Sequence, residues 1–268
     1  MVNNTERFSP QYRSIRTLLD NDYHDTYPLS RQKLQDKIVS ELLSKPVTDA
    51  ADAADVNATS CQWIVFTAGC MGAGKSYTIR KLLNYPSNAN ASNASNASQF
   101  HLRDIVWVDP DTIRCYLPEF AEYCKCDPQA AGRMTNKESG YIAEILTDAA
   151  LRDGKHVIVD GSLRDHVWHS IYFDRLRRDH LNLRIAIISV TAPIEDVLRR
   201  VEERGTRTGR FVPIDVLMDS VKHVPISVNI LKSKADYFLE ITNRSENDFE
   251  LKLKFNSNAD FGSVELSK

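Results

Sequence analysis

Residues 62–76 read Gln-Trp-Ile-Val-Phe-Thr-Ala-Gly-Cys-Met-Gly-Ala-Gly-Lys-Ser, an apolar run that passes straight into Gly69-x-x-x-x-Gly74-Lys75-Ser76. The helix-forming stretch Tyr77–Asn84 follows it. Strand, glycine-rich turn and helix, in that order, form the setting in which this spelling is a phosphate-binding loop. Small and glycine residues allow the N–H groups of Gly69, Cys70, Met71, Gly72, Ala73 and Gly74 to turn toward one phosphate. The helix starting near Lys75 adds its positive dipole end. Lys75 can reach the β- and γ-phosphates, and the Ser76 hydroxyl can ligate Mg²⁺. The stretch therefore reads as a nucleoside triphosphate site.

Composition narrows the rest. At 268 residues the chain can build one sizeable core, or a core plus an appendage. Its 42% hydrophobic and 26% charged residues are ordinary for a globular protein. A formal net charge of −2 gives no general attraction to nucleic acid or anionic membrane. No apolar run approaches the roughly 20 residues of a membrane span. The polar start Met1–Pro10 lacks the pattern of a signal peptide, so cytoplasmic residence is expected. Cys61, Cys70, Cys115, Cys124 and Cys126 read as reduced thiols. Cys124-x-Cys126 is tighter than the usual zinc-ligand pair, and no histidine sits nearby.

The N-terminal sixty residues carry one amphipathic helix, Ser30–Ser44, with Leu34, Ile38 and Leu42 on one side, Ser30 as cap and Leu29 as staple. Pro46–Ser60 reads as a linker. From Cys61 onward, apolar runs alternate with helical stretches. Strands are expected at Trp63–Ala68, Ile105–Asp109, His156–Asp160, Arg184–Val190 and Tyr237–Thr242. Helices are expected over 75–84, 128–153, 165–180, 193–204 and 213–234. Continuous apolar strands in a βαβα order indicate an α/β fold with a mostly parallel, doubly wound sheet and flanking helices. The kinase-like unit spans 61–245, interrupted by the Asn-Ala-Ser repeat over 87–99, which is too polar to fold and reads as a disordered surface loop. Its glycosylation triplets at Asn90, Asn93 and Asn96 are incidental to the repeat. Within 246–268, the alternation Phe249-Glu-Leu-Lys-Leu-Lys-Phe255 predicts an antiparallel edge strand, followed by a loose tail.

Ligands in such sheets bind beyond the carboxyl ends of the strands, and this selects the polar residues that matter. Strand two ends in Val108-Asp109-Pro110-Asp111-Thr112-Ile113-Arg114. A kinase needs a carboxylate there to orient the acceptor hydroxyl and take its proton. One of the two aspartates also suits the cap of the next short helix; Asp111 is assigned as base and Asp109 as cap. Strand three ends in Asp160-Gly161-Ser162-Leu163-Arg164, where Asp160 can hold Mg²⁺ and Ser162 and Arg164 can face the same crevice. Farther on, Arg204, Arg207 and Arg210 suit a lid over a triphosphate, whereas Arg199 and Arg200 read as solvated helix charge.

Taken together, the phosphate loop, Val-Asp-Pro-Asp-Thr-Ile-Arg, Val-Asp-Gly-Ser-Leu-Arg and Thr-Gly-Arg-Phe-Val-Pro resemble, in order, the zeta toxin family over about residues 61–242. These are P-loop kinases best known from bacterial toxin–antitoxin systems, with relatives in eukaryotes. The resemblance implies ATP and Mg²⁺ as cofactors and the sugar 3′-hydroxyl of UDP-N-acetylglucosamine as acceptor. It leaves room for an antitoxin-like protein partner. It matches Lys75 to the triphosphate lysine, Ser76 to the metal-binding hydroxyl and Asp111 to the base. Glu144 falls on a substrate-contacting glutamate, Ser162 and Arg164 on the Thr and Arg of the family's Glu-Gly-Thr-x-Arg motif, and Arg204 and Arg210 on a triphosphate clamp. Arg114 joins the substrate set beside Asp111. Asp160 departs from the pattern, standing where the family has glutamate.

Three rivals remain in view. A GTPase is disfavoured because Asn136-Lys137-Glu138 lies in a helical stretch and lacks the aspartate that reads guanine. A polynucleotide kinase would use the same aspartate–arginine logic, but the chain has no long basic stripe. A non-catalytic nucleotide-binding module would be expected to lack Lys75 or Asp111, and both are present.

Overall fold

The computed structural model describes residues 7–45, 61–83, 105–208, 211–245 and 248–253. The linker and Asn-Ala-Ser readings, the last residues of the tail, and Arg210 lie outside the described residues. Six strands form one sheet in these residues: β1 (Gln62–Ala68), β2 (Ile105–Val108), β3 (His156–Val159), β4 (Leu183–Thr191), β5 (Tyr237–Ser245) and β6 (Asp248–Leu253). Their order is β2-β3-β1-β4-β5-β6. The first five are parallel, and β6 runs antiparallel to β5 at the edge.

The helices lie close to where the periodicity puts them. Two N-terminal helices, α1 (Arg13–Arg16) and α2 (Leu29–Ser44), precede the sheet. The crossovers are α3 (Lys75–Leu83), then α4 (Pro110–Arg114), α5 (Phe120–Cys126) and α6 (Pro128–Arg152), then α7 (His166–Asp179), and last α8 (Ile194–Thr208) with α9 (Ile214–Leu231). Helices α1 and α5 have no counterpart in the sequence reading: α1 is only four residues long and the seven residues of α5 bury nothing fully, so neither carries an apolar period. Ser30 is not the cap of α2: the N-cap is Pro28, without a side-chain bond, and Ser30 sits in the first turn.

Adjacent residues of a strand face opposite sides of the sheet, and both sides are covered. Ile64 and Phe66 of β1 join Val106, Val157, Ile185 and Ile187 in the main core with α6 and α7. Val65 turns the other way and packs on a smaller cluster of Ile79, Ile105 and Ile158. This double coverage is why the strands are continuously apolar.

The N-terminal segment shares the main core. Ile15, Leu19, Ile38, Val39 and Leu42 belong to the same buried cluster as Tyr141, Ile142 and Ile145 of α6. Its polar groups are tied in as well. Arg16, fully buried, donates to Asp36 Oδ1 at 2.6 Å and to Gln35 Oε1 at 3.2 Å. Arg31 of α2 grips Glu138 of α6 through two bonds, at 2.6 and 2.7 Å, and also pairs with Glu119.

Candidate active site

The phosphate loop bridges the end of β1 and the start of α3, and neighbouring elements press on it from outside. Gly72 and Gly74 have φ of 84° and 85°, in the left-handed region that side chains resist. A Cβ on Gly72 would lie 2.6 Å from the Val197 carbonyl oxygen of α8, and one on Gly74 would lie 2.3 Å from Asn243 Nδ2 of β5. Glycine is required at both positions by conformation and by space. Lys75 folds back over the loop, its Nζ donating to the carbonyl oxygens of Gly69 at 3.0 Å and Cys70 at 3.3 Å. Burial pushes the Lys75 pKa below the ordinary lysine range, while the charges of Asp160 and Asp111 pull the other way. Burial also raises the Cys70 thiol.

Asp160, one residue past β3, is held from three sides. Its N–H donates to Val108 O at 2.8 Å. The Thr67 hydroxyl approaches Oδ1 at 3.1 Å, and the Ser76 hydroxyl donates to Oδ2 at 2.6 Å. The aspartate therefore reaches Ser76 directly, despite lacking one methylene of the family's glutamate. Thr67 is a further member of the site that the sequence reading missed, because within β1 it resembles any strand residue. An exposed hydroxyl touching a carboxylate at the loop is an oxygen donor set of the kind that Mg²⁺ takes along with phosphate oxygens and water. No group of three or more His, Cys, Asp or Glu that could hold a metal occurs among the described residues, and the described cysteines are free.

At the tip of β2 the two aspartates divide their work. Asp109 is the N-cap of α4: Oδ1 accepts the Asp111 N–H at 2.8 Å and Oδ2 accepts the Thr112 hydroxyl at 2.6 Å. Burial raises its carboxyl above the ordinary range, opposed by the Thr112 hydroxyl and reinforced by Asp111 and Asp160. Asp111 stays open, its side chain 34% exposed, with Arg114 NH2 3.2 Å from one carboxylate oxygen and Arg204 NH2 3.9 Å from the other. Arg114 itself is not placed to touch a substrate. It is buried, donating to Gly132 O at 2.9 Å and approaching Pro110 O at 3.4 Å, so its part is to hold Asp111 in place.

Helix α8 crosses the loop with Val197, Arg200, Val201 and Arg204 on one face. Arg200 is half-buried, and its NH1 approaches Gly72 O at 3.4 Å. The expectation that Arg200 is solvated charge fails, whereas Arg199 fits it, paired in the open with Asp196 and Glu203. The spacing of three and four residues from Val197 is the signal that separates the two arginines.

The Zeta toxin family model matches residues 51–250. The chain belongs to the zeta toxin family. It is thereby an ATP-dependent P-loop kinase. Among solved structures, it is similar to a chain of the PezAT chromosomal toxin-antitoxin system of the human pathogen Streptococcus pneumoniae. That match has a TM-score of 0.58 and 15% identity over 81% of each chain. It is also similar to a chain of AvrRxo1-ORF1:-ORF2 with ATP, at TM-score 0.53 and 16% identity, covering 91% of this chain and 71% of that one. At these identities the likeness is one of fold. No curated protein sequence matches at a significant level.

The remaining positions assigned by likeness to zeta toxins fall unevenly. Ser162 abuts the phosphate loop, its carbonyl accepting the Gly69 N–H at 3.3 Å. Arg164 stands 45% exposed and pairs with Asp219 of α9 at 2.8 Å; Asp219 also holds His223 at 2.8 Å. Glu144, in contrast, is drawn into the protein. His24 Nε2 lies 2.8 Å from one of its oxygens and Arg175 NH1 3.3 Å from the other. Arg175 and His180 continue the chain of contacts to Asp148, at 3.2 and 3.0 Å. Both Glu144 oxygens are committed to this buried network, whose histidine comes from the N-terminal segment. A substrate contact by Glu144 is not available in this arrangement.

Proposed function

We propose that this kinase transfers the γ-phosphate of ATP to a sugar hydroxyl of a nucleotide-sugar acceptor resembling UDP-N-acetylglucosamine. The observation that carries the reading is Asp111: an open carboxylate at a strand tip, steadied by buried Arg114 and facing the lid arginine Arg204. In the transfer the acceptor oxygen forms a bond to the γ-phosphorus as its proton passes to the Asp111 carboxylate. The bond from that phosphorus to the β,γ-bridging oxygen breaks, and its electron pair leaves on ADP. The N–H groups of Cys70, Met71, Gly72 and Gly74, with Lys75, hold the phosphates; those of Gly69 and Ala73 are bonded to Ser162 O and Cys70 O instead. Arg200 and Arg204, with Arg210, offset charge on the moving group. Mg²⁺ between Ser76 and Asp160 would supply charge neutralisation at the β- and γ-phosphates.

Ser162 and Arg164 belong to the acceptor side of the crevice in this reading. The likeness to a toxin–antitoxin chain extends it to an inhibitory, antitoxin-like protein partner. A cytoplasmic location is part of the same proposal; no described helix is long and apolar enough to cross a membrane. The test is ADP release with ATP and Mg²⁺ against nucleotide sugars, small alcohols and 5′-hydroxyl oligonucleotides, with Lys75→Ala as the blank. Nucleotide sugars should stimulate release in the wild type alone. Stimulation only by oligonucleotides would replace the acceptor assignment with a polynucleotide one.

A further inference from the structure

Asn243 near the end of β5 is a side chain that neither the sequence reading nor the proposed chemistry uses. It is 2% exposed, on a strand whose buried neighbours Leu239 and Ile241 are aliphatic. Its Nδ2 donates to the Ala73 carbonyl oxygen at 3.1 Å, across 170 residues of chain. The same nitrogen lies where a Cβ on Gly74 would go. Among the described residues its Oδ1 is buried without a hydrogen-bond partner. An orphaned buried amide oxygen is costly to stability, and an aliphatic residue of the same shape would avoid that cost. Such groups are few in native proteins, and each calls for an explanation.

The backbone explains how the side chain is aimed. Asn243 pairs with Phe249 of β6, but the next pair is Ser245 with Asp248, so one extra residue sits on β5. A bulge of this kind bends the strand and redirects side chains, and bulges concentrate beside active sites. Asn243 is the last regular pair before the bulge, on the same buried face as Leu239 and Ile241, and its amide meets the phosphate loop at Ala73 and Gly74, immediately before Lys75. Val197 and Val201 of α8 cover the loop at Gly72.

We propose that Asn243 is a positioning residue for the phosphate loop: by holding the Ala73 carbonyl it fixes the peptide that leads into Gly74 and Lys75, and so the direction of the N–H groups that receive the triphosphate. The bulged β5–β6 edge is then part of the nucleotide site. The inference rests on the ATP reading above.

Asn243→Leu keeps the shape and removes the donor. Calorimetric titration with ATP and Mg²⁺ should give a Kd raised roughly tenfold or more, equivalent to about 1.4 kcal/mol. The melting temperature of Asn243→Leu should stay near that of the wild type, because the lost bond at Ala73 is offset by removal of the orphaned oxygen. Leu42→Ala, a core change in the N-terminal helix α2, provides the reference for a purely structural loss: its melting temperature falls while its ATP Kd at a temperature where it is folded does not move. Wild type failing to bind ATP would overturn the nucleotide reading and this inference together. If the wild type binds and folded Asn243→Leu binds equally well, the inference alone is overturned. The same holds if Asn243→Leu behaves like Leu42→Ala, losing melting temperature with unchanged affinity.

Discussion

Arg199 and Arg200 are neighbours in sequence with the same side chain, and the structure assigns them opposite fates. Arg199 points to solvent, paired with Asp196 at 3.0 Å and Glu203 at 3.1 Å along its own helix. Arg200 turns toward Gly72 of the phosphate loop. Without nucleotide its 3.4 Å contact to a neutral carbonyl is long for a hydrogen bond, so Arg200→Ala should leave stability almost unchanged. A triphosphate in the loop offers a far better acceptor. One charge-assisted hydrogen bond contributes about 1.5–3 kcal/mol. At about 1.4 kcal/mol per factor of ten, ATP affinity should drop by roughly one to two orders of magnitude. Arg199→Ala should bind ATP as the wild type does. Titration calorimetry on both variants, with denaturant unfolding to confirm the fold, reads the contrast directly. Equal affinities for the two variants would show that the half-buried orientation of Arg200 has no bearing on the triphosphate.

Other outcomes follow from the site and its supports. Asp111→Asn should lower kcat by roughly 10²–10⁴, the usual worth of a positioned base, with ATP affinity retained; weakened ATP binding with normal turnover at saturation would move the base assignment elsewhere. Arg16→Ala leaves buried Asp36 without its charged partner, which should cost about 3–5 kcal/mol, seen as a lower denaturant midpoint for the whole protein. A separate early transition confined to the N-terminus would show instead that the segment is not integral to the core. Burial works against the charge on Asp236, but the Ile185 N–H, Arg177 and Arg184 outweigh it and hold this carboxyl below the usual range. Because its folded pKa is the lower one, that stability is present above the unfolded value near 4 and fades as pH falls through the folded value. Asp236→Asn should thus be less stable than the wild type at pH 7, with the gap closing in strong acid; a gap independent of pH would rule out this linkage.

Much of the architecture is legible in the chain because its signals are local. Most of the five parallel strands are continuous apolar runs, and the long helices α6 and α9 show in their periodicity to within a few residues. The phosphate loop is legible for a stricter reason: φ of 84° and 85° at Gly72 and Gly74 and the absence of room for a Cβ leave only glycine, so conformation is written directly in residue type. Asp109 as cap and Asp111 as the open carboxylate can also be read, since a helix start two residues past a strand end needs one of them for its N–H groups.

What the local pattern could not supply was contact between residues far apart in the chain. Arg114 and Glu144 carry the charge of binding residues, yet the carbonyls of Pro110 and Gly132 and a histidine 120 residues away claim them, because a buried ionised group must find partners wherever the fold brings them. Arg200 looks like its neighbour until α8 is laid across the loop. Asn243 looks like the end of a strand until the sheet lays its amide against Ala73. Residue order determined the sheet, the loop and the chemistry at hand. Which side chains face the nucleotide, and which are spent holding the protein together, was decided only when distant elements packed, since burial and pairing are properties of the assembled core.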